Sequence, residues 1–303
     1  KKRQMKNKKS TSILENINGD KKLNIFEQIY WIFICIVNYF FSLFIITDQR
    51  IEKIKFAKFT TSKLLNKNSS PARMLSDIFW ITFPWTEFKK KTKRKFSIVE
   101  VGCGDGRYGD LLKKIFNQNF KNYLGIDINP RKKWKSKKKY MSFVKSDCYN
   151  IGKYLKNKNL IITQSAVEHF KYDLEFFKNI KKKLPTKKEV IQIHIFPSYG
   201  CLFTYLFHGY RHYNLNSISK ITKIFDKNCH FKLFYLGSSS LNWFHFKNIT
   251  LQKTKMFKSL NMNSGSYFIK LKQLILKSNR SKKISSPSFY ALVIFNNFKK
   301  NKI

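Results

Sequence analysis

The 303-residue chain is long enough for one large domain with an appendage, or for two small domains. It carries 61 Lys and Arg against 17 Asp and Glu, and a net charge of +44 normally indicates a nucleic-acid or anionic-membrane partner. Only eight of these basic residues are Arg, and the chain is also rich in Asn, Ile, Phe and Tyr. We therefore favour compositional drift as the source of the charge. The five cysteines show no C-x-x-C spacing, so we expect free thiols and no bound metal.

The N-terminal part is basic first and strongly apolar afterwards. Residues 1–22 predict a disordered basic tail, and residues 23–70 predict an apolar helical segment. Its run Ile29–Ile46, "IYWIFICIVNYFFSLFII", is at the lower limit for a membrane span and is not followed by a small-residue cleavage site. The run therefore indicates either a span or a helix on the cytoplasmic face of a membrane, with a buried helix as the alternative.

Residues 71–303 predict a single α/β domain. The aromatic stretch 74–88, "MLSDIFWITFPWTEF", suggests a helix that packs over a pocket. From residue 96 short apolar strands alternate with helical segments, which predicts a parallel sheet with helices on both faces. We expect a Lys/Asn/Ser-rich insertion at 241–286 and a closing strand at 288–297.

A glycine-rich turn follows the first strand of this domain. The stretch "EVGCGDGRYG" contains G-x-G-x-x-G at Gly104, Gly106 and Gly109, which is a dinucleotide pattern. It also contains G-x-G-x-G at Gly102, Gly104 and Gly106, directly after Glu100. In both patterns the glycines would let the backbone approach a ligand closely, at the place where ligands bind in an open α/β sheet.

Acidic residues favour the second pattern. Glu100 and Asp105 flank and enter the turn, and they would repel a diphosphate but suit a ligand with an amino group and a sulfonium. Asp127 ends the next strand, where an acid can accept hydrogen bonds from ribose hydroxyls. Asp147 ends the strand after that, within reach of an adenine amino group. These positions favour S-adenosyl-L-methionine over NAD or FAD.

The order "VEVGCGDGRYG", "LGIDIN", "VKSDC", "IITQSAVEHF" resembles class I S-adenosylmethionine-dependent methyltransferases of the small-molecule type. The resemblance covers about 96–240 and the strand at 288–297. It implies a Rossmann-like seven-stranded, mostly parallel sheet whose last strand runs antiparallel between the fifth and sixth. Helices on both faces and an N-terminal helical extension complete the expected fold.

The resemblance also implies contacts with the methionine, ribose and adenine parts of S-adenosyl-L-methionine. The implied residues are Glu100, Gly102, Gly104, Asp105, Gly106, Asp127, Ile128, Asp147, Cys148 and Gln164. Glu100 and the glycines would line the methionine half, and Asp127 would bind the ribose. Asp147 and Cys148 would flank adenine, and Gln164 would lie near the sulfonium.

Histidines are the natural candidates for a general base toward a hydroxyl acceptor. His169 follows the fourth strand of the resemblance, in "AVEHF", which is similar to the Glu-His of small-molecule methyltransferases. The stretch "FHGYRHYNLNS" adds His212 as a second catalytic candidate, with His208, Tyr210 and Arg211 on the acceptor side. Arg211 would suit a carboxylate or phosphate on the acceptor.

The predicted acceptor is a small molecule, a lipid-linked compound or a glycan, methylated at oxygen. Enzymes that methylate base amino groups usually carry Asn/Asp-Pro-Pro-aromatic after the fourth strand, where this chain has "QSAVEH". A flipped-base pocket is therefore not indicated. RNA methylation on the basic surface and a non-catalytic binding protein of the same fold stay as alternatives.

Overall fold

The structure is a computed structural model that describes most of the chain in seven ranges. These are residues 17–67, 69–92, 94–135, 138–185, 188–251, 264–280 and 286–298. A basic tail was predicted for residues 1–22, and its residues 1–16 lie outside the described residues.

The described residues form one eight-stranded sheet. Its strands are β1 (Ile51–Lys55), β2 (Phe96–Val101), β3 (Phe120–Asp127), β4 (Met141–Lys145), β5 (Leu160–Gln164), β6 (Val190–Pro197), β7 (His230–Leu236) and β8 (Phe289–Asn296). The spatial order is β1-β7-β8-β6-β5-β2-β3-β4, and β8 is antiparallel to both of its neighbours. The predicted position of the last strand is confirmed. Because the chain reverses its direction of travel between β2 and β5, a crevice opens at the carboxyl ends of these two strands.

Helices cover both faces of the sheet, as predicted. The helices are α1 (Ile25–Leu43), α2 (Pro71–Thr82), α3 (Trp85–Thr92), α4 (Arg107–Phe116), α5 (Asp173–Lys183), α6 (Leu215–Thr222), α7 (Ser239–His245) and α8 (Ser264–Arg280). One core joins the sheet to α2, α3, α4, α7 and α8, and a second joins its other face to α5 and α6. Neighbouring residues of β2 serve different cores, Ile98 the first and Val99 the second, as the two-residue period of a strand requires.

The first strand corrects the prediction that residues 47–70 are helical. β1 lies at the sheet edge, parallel to β7, so the sheet has eight strands and not seven. Arg50 precedes β1 and donates hydrogen bonds to the carbonyls of Thr222, Phe225 and Asp226. Its guanidinium also pairs with Asp48 at 2.7 Å. This clamp holds the segment extended, and its partners are about 175 residues away in sequence.

Helix α1 packs one side against the domain and exposes an apolar surface on the other. Its buried side includes Trp31, Ile34 and Cys35, and the Trp31 Nε1 donates to the carbonyl of Gly209 at 3.0 Å. Exposed side chains include Phe26, Ile29, Phe33, Phe40 and Phe41. Among the described residues, α1 is the helix whose length and composition would suffice to cross a membrane.

The helices of the predicted aromatic segment and of the insertion differ in extent from the prediction. The aromatic stretch forms two helices, α2 and α3, because Pro84 interrupts it. The described parts of the insertion contain most of α7 and all of α8.

Gly109 should behave as a packing glycine, so Gly109→Ala should destabilise the protein. A methyl group there would lie 2.7 Å from the Cε of Met141 and 2.9 Å from the ring of buried Tyr123. Overpacking of this kind costs about 1–3 kcal/mol in the free energy of unfolding, measured by urea denaturation. Gly152→Ala is the matched control, since its methyl group meets only the flexible side chain of Lys183. Equal effects of the two variants would contradict the packing role.

Candidate functional site

Two connected clefts lie at the carboxyl ends of the central strands. The first has a volume of about 540 Å³ and lies between α2 and the glycine turn. The second has a volume of about 640 Å³ and lies beside the ends of β3 and β4. The residues lining both are Gly102, Gly104, Arg131 and Ser165. The glycine turn therefore stands between two halves of one groove.

The backbone of the turn explains its glycines. Gly102, Gly104 and Gly106 all have positive φ, at 73°, 52° and 76°. A side chain at Gly102 would collide with Ala166, whereas a Cβ at Gly104 would have no described atom within 4 Å. Gly109 is not among the positive-φ glycines. The spacing G-x-G-x-G is thus the one that the turn uses, and open space for a ligand lies over Gly104.

Glu100 is a buried carboxylic acid on the floor of the first cleft. It is 1% exposed, and the hydroxyl of Tyr123 donates to its Oε2. Burial raises its pKa to about 8, because desolvation outweighs that hydrogen bond and nearby Asp127 adds repulsion. At neutral pH this side chain is mostly uncharged, and a cationic group in the cleft would draw out its proton.

Asp127 and Asp147 line the second cleft, as predicted. The Asp127 carboxylate accepts the N–H groups of Gly104 and Asn129, both at 2.9 Å, which fixes its orientation at the cleft wall. Asp147 accepts the N–H of Tyr149 at 2.9 Å and caps a short 3₁₀ turn. Each oxygen that accepts one backbone bond retains capacity for a second donor, such as a hydroxyl or an amino group.

The remaining predicted cofactor contacts also line the groove, except Gly106. Ile128 and Cys148 lie in the second cleft, where Ile128 is 58% exposed and Cys148 is buried. Burial raises the pKa of the Cys148 thiol, so it acts as an apolar wall. Asp105 lies in the first cleft and pairs with Lys133 at 3.1 Å. Gly106 instead faces the ring of Phe143.

Gln164 connects the sheet to the helix above the first cleft. It accepts from the Trp80 Nε1 at 2.9 Å and donates to the Ser76 Oγ at 3.1 Å. A second link is the ion pair of buried Asp77 with Arg107, which joins α2 to α4. The pKa of Asp77 is raised because burial outweighs the effect of Arg107. These bonds hold α2 as the roof of the cleft, as the aromatic stretch predicted.

Several residues that line the first cleft were not predicted from the sequence. Of the eight arginines in the chain, Arg73, Arg107 and Arg131 line the first cleft, together with Tyr205 and Ser165. Arg is scarce in the composition, and only the folded chain shows that three of the eight arginines lie at one cleft. Ser165, directly after β5, has a φ of 47°, a left-handed backbone conformation that is strained for a residue other than glycine.

The candidate acceptor residues divide between several environments. His169 lines the second cleft and His208 the first, and their rings meet edge-on with centroids 4.6 Å apart. Tyr210 lines the second cleft and not the acceptor side. The structure therefore brings His169 and His208 together at the junction of the two clefts.

His212 and Arg211 do not fit their predicted roles. His212 is 1% exposed and lies between the rings of Trp31 and Tyr199, where burial lowers its pKa to about 3. Arg211 pairs with Asp173 and donates to a backbone carbonyl. Both line a separate cavity of about 140 Å³, because the chain turns sharply after His208. A base or an acceptor-binding group at these positions is therefore not supported.

Comparisons with known proteins agree with this geometry. Residues 99–188 match the family model described as "Methyltransferase domain". No curated protein sequence matches the chain. Among solved structures, the chain is similar to the plantazolicin methyltransferase BamL in complex with a triazolic desmethylPZN analog and SAH. The identity is 16% and the TM-score is 0.45, and the similarity covers 75% of this chain and 87% of that chain. The chain is also similar to the CurJ carbon methyltransferase, with 10% identity and a TM-score of 0.40. This similarity covers 76% of this chain and 56% of that chain.

The family match begins in β2 and includes the glycine turn and the acidic ends of β3 and β4. The antiparallel β8 between β6 and β7 completes the expected sheet. Residues 99–188 are an S-adenosylmethionine-dependent methyltransferase domain. Its cofactor is S-adenosylmethionine, and we predict that the methionine half lies in the first cleft and the adenosine half in the second.

The methyltransferase should release a proton when it binds S-adenosylmethionine at pH 7. The cofactor's ammonium group near Glu100 favours the carboxylate, whose pKa in the free enzyme is about 8. Affinity should therefore rise as pH increases from 6 to 8, by up to about tenfold per pH unit. Calorimetry in two buffers of different ionisation enthalpy measures the released proton. Glu100→Gln should bind without proton release, and no release from the unaltered enzyme would exclude this contact.

Proposed function

We propose that this methyltransferase transfers a methyl group to an oxygen of a small-molecule, lipid-linked or glycan acceptor that carries an anionic group. The observation that supports the proposal is the lining of the first cleft by Arg73, Arg107 and Arg131. Arg107 pairs with Asp77, whereas Arg73 and Arg131 are exposed side chains that line the same cleft. Guanidinium groups recognise carboxylates and phosphates through paired hydrogen bonds.

The cleft also suits the geometry of the reaction. Methyl transfer breaks the carbon–sulfur bond of the cofactor as a carbon–oxygen bond forms, so the acceptor oxygen must lie in line with the sulfonium. Alignment of this kind supplies much of the rate enhancement. Helix α2 and Tyr205 enclose the acceptor side of the first cleft, and His208 lies at its junction with the second. We assign activation of the acceptor hydroxyl to this junction.

Transfer of labelled methyl groups to separated acceptor pools tests the proposed function. We expect label in anionic low-molecular-weight, lipid or glycan fractions. The runner-up is an RNA acceptor, which the net charge of +44 favours. Label in RNA that falls steeply between low and high salt would replace our proposal with this one. Absence of transfer to every non-nucleic-acid pool would also overturn it.

Arg73→Gln should impair use of the acceptor and leave cofactor binding intact. Loss of a charge-assisted hydrogen bond costs about 1.5–3 kcal/mol, so KM for the acceptor should rise at least about tenfold. Arg94→Gln is the matched control, because Arg94 lines a different cavity with Lys95 and Phe120. The measurements are KM with the labelled acceptor pool and cofactor affinity by calorimetry. An unchanged KM in Arg73→Gln would argue against anion recognition there.

We also propose that α1 attaches the enzyme to the cytoplasmic face of a membrane by lying on its surface. The apolar side chains on its outer side face solvent, while the opposite side is packed against the domain. A spanning helix would have to leave that packing. Apolar contact on one side with a strongly basic protein is the combination that binds anionic lipid surfaces.

Flotation with lipid vesicles measures this attachment. The enzyme should float with vesicles that contain anionic lipid and bind neutral vesicles more weakly. Phe33→Ser combined with Phe40→Ser should weaken binding about 100-fold, because two exposed aromatic side chains leave the lipid. Trp243→Ser, which alters an exposed aromatic residue on α7, is the control. Equal flotation of all three proteins would exclude α1 as the attachment site.

A further inference from the structure

Four polar side chains meet at the junction of the two clefts, and we refer to them as the histidine–carboxylate cluster. The cluster consists of Asp20, Glu168, His169 and His208. Asp20, His169 and His208 each place a ligand atom within 4.8 Å of the other two. Glu168 adds a second carboxylate from beneath the two imidazole rings.

The distances within the cluster are longer than hydrogen bonds at three of its four contacts. Asp20 hydrogen-bonds the Nδ1 of His169, but its other oxygen lies 3.8 Å from the Nδ1 of His208. The Oε1 of Glu168 lies 3.6 Å from the Nε2 of His208 and 3.9 Å from the Nε2 of His169. Two ligands bound tetrahedrally at about 2.1 Å from one cation lie about 3.4 Å apart. The 3.8 Å separation between Asp20 and the Nδ1 of His208 is close to that value, whereas Glu168 faces the opposite, Nε2 edge of both rings.

Glu168 is the second, independent sign of a missing partner. Its side chain is 0% exposed, and neither carboxylate oxygen has a hydrogen-bond partner among the residues that the structure describes. A buried carboxylate without a donor is costly unless a cation compensates it. The nearest cationic candidates are the two imidazoles, which are also ligands for a metal.

Backbone bonds hold the cluster in place before any ligand arrives. The N–H of Tyr210 donates to the carbonyl of Glu168 at 2.8 Å. Gly209 has a φ of 65°, and a Cβ at this position would collide with that same carbonyl. Gly19 donates to the carbonyl of Gly209 at 2.8 Å, and the N–H of Gly209 donates to the Asp20 carboxylate. Three separate chain segments are therefore locked together around the four side chains.

We propose that Asp20 and the Nδ1 atoms of His169 and His208 bind one divalent first-row transition cation, and that Glu168 orients the two imidazoles from their Nε2–H side. Two carboxylates and two neutral imidazoles balance a charge of +2. Mixed nitrogen and oxygen ligands favour Mn²⁺ or Zn²⁺ over Mg²⁺ and Ca²⁺, which prefer oxygen alone. We expected no bound metal from the sequence because the cysteines lack metal-binding spacing. The cluster contains no cysteine, so that expectation did not consider it.

The role of the cation rests on the proposed function. A cation between the two clefts would bind the acceptor oxygen next to the cofactor's methyl group. Coordination lowers the pKa of a hydroxyl, so its proton passes to solvent and the oxygen attacks as an alkoxide-like group. The methyl group then moves from sulfur to oxygen, and no electron leaves or enters the metal.

The test measures metal binding without cofactor or acceptor. The full chain is freed of metal with a chelator and titrated with MnCl₂ or ZnCl₂ alone, and stoichiometry is read by calorimetry and elemental analysis. We expect about one equivalent and a higher Tm in the presence of the cation. Asp20→Asn, Glu168→Gln and His208→Gln should each weaken binding at least about tenfold. His230→Gln, on β7, is the matched control and should bind as the unaltered protein does.

Two results would overturn the proposal. One is no saturable binding of either cation by the unaltered, folded chain. The other is equal affinity in the cluster variants whose circular dichroism shows a native fold. Cofactor binding is titrated separately, so a methyltransferase that binds S-adenosylmethionine but no cation would reject only the metal site. Cation binding together with label in RNA alone would reject only the proposed acceptor.

Discussion

The close approach of two backbone turns at Gly102 and Ala166 is the constraint on which the groove depends. These turns follow β2 and β5, the neighbouring strands between which the chain changes direction. A glycine is required because any side chain at position 102 would occupy the place of the Ala166 methyl group. With the turns in contact, the groove has two halves that meet at Gly104. Both halves are lined by Gly102, Gly104 and Ser165 of these turns.

The first cleft owes part of its shape to residues that precede the part of the chain matched by the family model. Helix α2 lies outside the matched family range 99–188, yet it supplies the roof of the first cleft. Gln164 binds Trp80 and Ser76 of this helix, so the end of β5 and the roof move as one unit. The second cleft combines strand ends of the sheet with residues of the N-terminal segment and of loops, such as Asp20, Lys171 and Tyr210.

Local patterns in the sequence were sufficient to locate the glycine turn and the acids near the ends of β2, β3 and β4. The glycine spacing and the acids at the ends of β2, β3 and β4 are each set by neighbours within a few residues. The edge strand β1 was missed because its conformation depends on carbonyls that Arg50 reaches across the sequence. His212 was misplaced for a related reason. It is four residues from His208, but the positive φ of Gly209 sends the chain away from the groove and into the core.

Asp20 could not have been found from local sequence, since its partner His169 is 149 residues away. The segment that carries it continues directly into α1, and both are fastened to Gly209, by the N–H of Gly19 and by the indole of Trp31. Helix α1 and one wall of the second cleft are therefore one continuous piece of backbone with a common attachment point. A chain without this segment would lose Asn18 and Asp20 from the lining of the second cleft.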